Sequence, residues 1–82
     1  MAKLLTSADS AQEIQMKGGQ VLAFKAGTGS MQMKVRVDDG EYVNLEESKT
    51  ADFAQFGDFK DAVMVFEITG DAKLTIYGNF YA

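Results

Sequence analysis

Three tyrosines, a cluster of acids and a few alternating bases are the side chains with chemistry to offer in this 82-residue chain; histidine and cysteine are absent. Without His, the usual general base near neutral pH and the commonest metal ligand are missing. Without Cys there are no thiolate nucleophiles, thiolate metal sites or disulfides. Asp38, Asp39 and Glu41 carry oxygen ligands of the kind a hard cation such as Ca²⁺ takes, but they lack the alternating spacing of a calcium loop and fit the tip of a hairpin. Glu46 and Glu47 are paired carboxylates, the raw material of acid–base hydrolysis, yet they are adjacent in the chain and no pocket can be inferred around them. Gly27-Thr28-Gly29-Ser30 has glycines a phosphate-cradling loop would use, without the Lys-Ser/Thr or third Gly of such motifs, and it leads into a strand. No serine sits in a nucleophile signature. These residues predict a protein that is not an enzyme and that holds no cofactor and no metal.

Two binding chemistries remain. Lys25, Lys34 and Arg36 with Phe24 offer the bases and aromatic of an OB-like single-strand-binding face. The formal charge of −4 opposes a nucleic-acid partner. Tyr42, Tyr77 and Tyr81 suit either a sugar-stacking platform or a protein interface, where a rigid apolar ring with a polar tip is favoured.

The elements that must position these residues are strands. From Ser30 to Asp38, Met31, Met33, Val35 and Val37 alternate with Gln32, Lys34 and Arg36, the period of a half-buried strand. Met31 and Met33 read as core filler. Leu22, Phe24 and Ala26 alternate with Val21, Ala23 and Lys25. Ala62, Met64, Phe66 and Ile68 alternate with Val63, Val65, Glu67 and Thr69, and Leu74, Ile76, Gly78 and Phe80 with Thr75, Tyr77, Asn79 and Tyr81. An outer face that carries Tyr77 and Tyr81 is one that something covers. Gly18-Gly19, Gly27-Thr28-Gly29, Asp38-Asp39-Gly40 and Gly70-Asp71 punctuate the strands as turns, with a short strand over 13–17 ending at the first of them. Residues 44–59 read as loop and strand rather than helix. The expected architecture is all-β: a small antiparallel β-sandwich or jelly-roll-like barrel of six to seven strands over 13–82, preceded by a flexible N-terminal arm over 1–12 that orders only when something holds it.

At 46% hydrophobic and 24% charged, the chain is a folded globule, and no stretch has the length of a signal sequence core or a membrane span. Acids strongly outnumber bases between Asp38 and Asp61, while the rest of the chain carries a small positive excess.

The order of pieces is similar to that of small β-sandwich structural proteins of tailed bacteriophage virions. Gly19-Gln-Val-Leu-Ala-Phe-Lys-Ala-Gly27 is followed by Met31-Gln-Met-Lys-Val-Arg-Val-Asp-Asp-Gly-Glu-Tyr-Val-Asn-Leu45, the apolar connection Phe53 to Phe59, Ala62-Val-Met-Val-Phe-Glu-Ile-Thr-Gly70 and Leu74-Thr-Ile-Tyr-Gly78. The aromatic after the hairpin is Tyr42, where such proteins more usually carry Trp. The resemblance implies a non-enzymatic capsid decoration protein, made in the bacterial host cytoplasm and located in the virion. It implies binding to the major capsid protein or another virion protein, and a homo-oligomer, a trimer by preference; the residues themselves, apart from the resemblance, put Tyr77, Tyr81 and Tyr42 at the interface. The charge of −4 and the lack of a long apolar stretch predict no nucleic-acid and no membrane partner. The alternatives are a tail or fibre component binding receptor glycan, and an OB-like single-stranded nucleic-acid binder.

Overall fold

Alternating apolar residues need two sheet surfaces to bury them, and this chain obtains both by folding one sheet over on itself. The structure, a computed structural model, describes residues 2–10, 12–37 and 40–81, with only the backbone of Tyr81. It contains β1 (Ala2–Leu5), a 3₁₀ turn (Ser7–Asp9), β2 (Ile14–Lys25), β3 (Ser30–Arg36), β4 (Tyr42–Lys49), β5 (Phe53–Gly57), β6 (Lys60–Thr69) and β7 (Lys73–Tyr81). The seven strands form a single antiparallel sheet in the order β1-β7-β2-β6-β3-β4, with β5 also paired to β2. An all-β fold is the outcome.

β2 is where the sheet folds. Its first half pairs with β6 (Ile14↔Met64, Gln15↔Val63) and its second half with β5 (Gln20↔Gly57 to Phe24↔Phe53), while β7 follows it along the other side. Gly18 and Gly19, at φ +90° and +69°, form the bulge between the halves. The glycine pair predicts a turn between two strands; the structure has one strand carried through a bend, because β7 keeps pairing with β2 on both sides of it. Opposite the bulge, Gly78 lies so close that a Cβ would stand 2.6 Å from the Gly19 carbonyl oxygen. Ile14, Met16, Leu22, Phe24, Met31, Met33, Met64, Phe66, Ile68, Leu74, Ile76 and Phe80 all point into the space between the halves and form one buried cluster.

Two further glycine turns are corners, not hairpins. β2 does not pair with β3, and β6 does not pair with β7. Each connection crosses from one half to the other, and the two corners lock together. The Asp71 carboxylate accepts from the Thr28 N–H at 2.7 Å and from its hydroxyl at 3.0 Å, and Ser30 N–H donates to Thr69 Oγ1 at 3.0 Å. The Thr28 bonds hold the Asp71 carboxyl below the usual aspartate range. A lowered folded-state pKa stabilises the fold above the unfolded aspartate value and stops doing so as pH falls through the folded one. Asp71→Asn is therefore expected to lower Tm near neutral pH and to converge on wild type in acid, as thermal melts across pH will show.

The β3–β4 pairing (Arg36↔Tyr42, Lys34↔Asn44) is the hairpin that Asp38-Asp39-Gly40 predicts, with Asp38 and Asp39 outside the described residues. Residues 44–59 are strand, loop and strand, without a helix.

The described residues of the 1–12 segment are tied to the sheet. Ala2–Leu5 pair with Tyr77–Leu74, and Leu5 is 1% exposed within the core. The segment needs a holder, and β7 is that holder. Thr6 and Asp9 then cap the 3₁₀ turn reciprocally, and Ser10 Oγ accepts from Ile68 N–H at 3.0 Å, which pins this connection over β6.

One core position breaks the apolar rule. Gln20 is 0% exposed, beside the bulge, and neither end of its amide has a hydrogen-bond partner among the described residues. An unpaired buried amide costs about 1–3 kcal/mol, whereas an apolar group of the same shape costs nothing comparable. Gln20→Met is expected to gain about 1 kcal/mol, read as a Tm higher by roughly 5 °C.

Candidate functional site

The outward side of β1, β7, β2 and β5 carries two rows of uncharged side chains. The strand registers align Ala2, Tyr77, Val21 and Phe56 in one row, and Leu4, Thr75, Ala23 and Ala54 in the next. The reason is simple alternation: Leu5, Leu74, Ile76, Leu22 and Phe24 point into the core, so their neighbours on each strand point out. Phe56 is 70% exposed, Leu4 55%, Tyr77 49% and Val21 37%. Four large apolar side chains share one sheet face, with only alanines and a threonine between them, and this contiguous exposed apolar patch is the candidate interaction site.

The borders of the patch are polar. Lys25 and Lys73 stand directly opposite each other across β2 and β7, exposed, and neither makes an ion pair within 4.0 Å among the described residues. Like charges in that position repel. At the other end lie the exposed Asn79 and Asp58, whose carboxylate accepts from Gly19 N–H at 3.0 Å.

The sequence-predicted residues divide between two surfaces. Tyr77 is in the apolar patch. The side chain of Tyr81 lies outside the described residues; its backbone continues β7 opposite Gln15. Tyr42 is elsewhere, on the outer side of the other half, so Tyr42 and Tyr77 do not form one platform. The Tyr42 hydroxyl donates to the Glu13 carboxylate. That bond, with desolvation and the nearby negative charge, holds the phenol above its ordinary value. Glu13, Lys34, Tyr42, Val65 and Glu67 line an open depression of about 480 Å³.

Around that depression the bases are already engaged. Lys34 Nζ is 3.3 Å from Glu67, and an Arg36 guanidinium nitrogen is 3.4 Å from Glu13. A phosphate arriving at this face must compete with both carboxylates. Glu46, at φ +64°, sits in a β4 bulge closed by its ion pair to Lys49 at 2.8 Å and by a bond from the Gln32 amide to its carbonyl. Glu46 and Glu47 are thus strand residues of an exposed edge. Among the described residues no group of three or more acidic side chains stands close enough to hold a metal ion.

No protein-family model matches the chain, and neither a curated protein nor a solved structure does. Its function must therefore be argued from its own surfaces. Phe56, Val21 and Leu4 are the members of the patch to which the three tyrosines give no pointer. Of these, Val21 alone has a signal in the sequence: Val21 and Ala23 occupy the face opposite Leu22 and Phe24, with nothing charged between them.

Proposed function

We propose that this protein is a non-enzymatic structural component of a bacteriophage virion, a decoration protein that binds the assembled head and stabilises it. The observation that carries the reading is the Leu4–Val21–Phe56–Tyr77 face, an exposed apolar surface on the outside of the sheet. An exposed apolar sheet face suits protein contact rather than small-molecule chemistry, which works in concave sites with a few convergent polar groups. The resemblance of the order of its sequence segments to that of small β-sandwich proteins of tailed-phage virions supports the same reading. Mechanistically, self-association through this face buries apolar area that one copy cannot, at about 25 cal/mol per Å², and repetition of paired copies over a shell multiplies the effect, while other surfaces of the chain meet the head.

The test is direct. Virions purified from the producing strain contain the chain in a fixed ratio to the major capsid protein by quantitative immunoblot. Heads stripped of it lose resistance to heating and regain it when it is added back. Its absence from purified particles sinks the proposal.

The reading as a tail or fibre component that binds glycan has one observation in its favour: the Tyr42 ring beside the Glu13 and Glu67 carboxylates offers a stacking surface with hydrogen-bond acceptors. Specific hits on a glycan array, lost in Tyr42→Ala, would shift the assignment to it.

A further inference from the structure

The apolar face carries a size pattern that matches itself, and the meaning of that pattern rests on the proposal that this face is the working contact. On each of its four strands a large residue and a small one stand two positions apart: Phe56 and Ala54, Val21 and Ala23, Tyr77 and Thr75, Leu4 and Ala2. The two side-chain rows are about 6.8 Å apart along the strands. A two-fold axis running across the strands, midway between the rows, lays each row of one copy on the other row of the second copy. Phe56 then sits over Ala54 of the second copy, Val21 over Ala23, Tyr77 over Thr75 and Leu4 over Ala2. Every large side chain meets a small one. Packed sheets lie within about 30° of alignment, which keeps the central pairs matched and splays only the outer ones.

The other two-fold, along the strands, fails on two counts. It sets Tyr77 against Val21 of the second copy, large on large. It also stacks the Lys25–Lys73 pair of one copy on that of the other, bringing four cations together. The axis across the strands instead carries each lysine pair to the end where Asn79 and Asp58 lie. Four strands about 4.8 Å apart, with the polar border rows included, give on the order of 500 Å² per copy. The total of about 1,000 Å² lies at the low end of biological interfaces, that of weak and reversible contacts.

From this register we infer that the face is a two-fold contact between two copies of this chain, closed by large residues seated on small ones. For this face a dimer takes the place of the trimer implied by the resemblance.

A knob-and-hole exchange tests it. Sedimentation velocity of the wild-type chain over a concentration series should show a monomer–dimer equilibrium. Phe56→Ala empties the knob and Ala54→Phe fills the hole, and each variant alone should dimerise roughly a hundredfold more weakly, because a two-fold contact counts each change twice. An equimolar mixture restores the large-on-small pattern at both ends and should recover a heterodimer near wild-type affinity. If Ala54→Phe fails to fold by circular dichroism, Tyr77→Ala mixed with Thr75→Tyr gives the same readout through the neighbouring strand. A wild-type chain that stays monomeric at every concentration overturns the inference. So do folded variants whose mixture gains nothing, or an Ala54→Phe that dimerises as wild type. A dimer that is missing from virions defeats the decoration reading alone; a virion component that is monomeric when free defeats the two-fold contact alone.

Discussion

Gly29→Ala is expected to remove a large share of the stability of this fold. A Cβ on residue 29 would stand 1.9 Å from the carbonyl oxygen of Thr69 and 2.9 Å from its carbonyl carbon, and 3.1 Å from the Ala72 Cβ. The first two are backbone atoms at the end of β6, and no rotamer change moves them out of the way. Nor can the corner retreat easily, since Thr28 and Ser30 on either side of Gly29 are bonded to Asp71 and Thr69. Relief requires separating the two corners, with loss of those bonds and of the packing beneath them, a cost of about 4 kcal/mol or more. A domain of this length has only on the order of 4–12 kcal/mol to lose. Gly40→Ala is the control: its φ of +78° disfavours a side chain, but nothing lies within 4 Å of the added Cβ, so about 1–2 kcal/mol is expected. Urea titrations of both variants measure the difference. A Gly29→Ala protein within about 1 kcal/mol of wild type means that the corners separate freely and that their close approach is not what positions β3 and β7.

Met33→Asp abolishes folding, while Lys34→Gln one residue later changes stability by less than about 1 kcal/mol. Met33 is 0% exposed, between Leu45 on β4 and Phe66 on β6, and a carboxylate there has no cation within the core to meet. It must either ionise in an apolar space or take up a proton, and both cost several kcal/mol. Lys34 points the other way, to an exposed ion pair with Glu67 that salt and water screen. The pair of variants reads the strand register through circular dichroism and melting. A folded Met33→Asp, or an unfolded Lys34→Gln, reverses the assignment of faces.

Much of this fold is legible in the sequence because alternation is a local signal. The facing of Met31 and Met33, of Met64, Phe66 and Ile68, and of Leu74, Ile76 and Phe80 can be read from neighbouring residues, and all of them are buried together. What the glycines do is less legible. Gly18-Gly19 and Asp38-Asp39-Gly40 look alike as punctuation. The first is a bulge in a continuous strand and the second joins a hairpin, because the difference lies in which distant strand takes the hydrogen bonds. The same holds for Gly27–Gly29 and Gly70–Asp71, which turn the chain between halves.

The candidate face is legible in part. Tyr77 stands out as an aromatic on an outer face. Phe56 does not, because residues 44–59 have no clear period, and Leu4 does not, because a four-residue strand has no pattern until β7 supplies its partner. A patch assembled from β1, β2, β5 and β7 exists only through pairings between residues far apart in the chain.

The bend in β2 also determines how the molecule comes apart. A sandwich built from two separate sheets can lose one layer and keep the other for a while. Here β2 belongs to both layers and β7 runs along its whole length, so neither layer has a boundary at which to detach. Opening one layer strips β2 of half its partners, and the remainder is too small to hold a core. The protein is therefore a single cooperative unit, with β1, β4 and β5, each held by one partner strand, the places where it frays first.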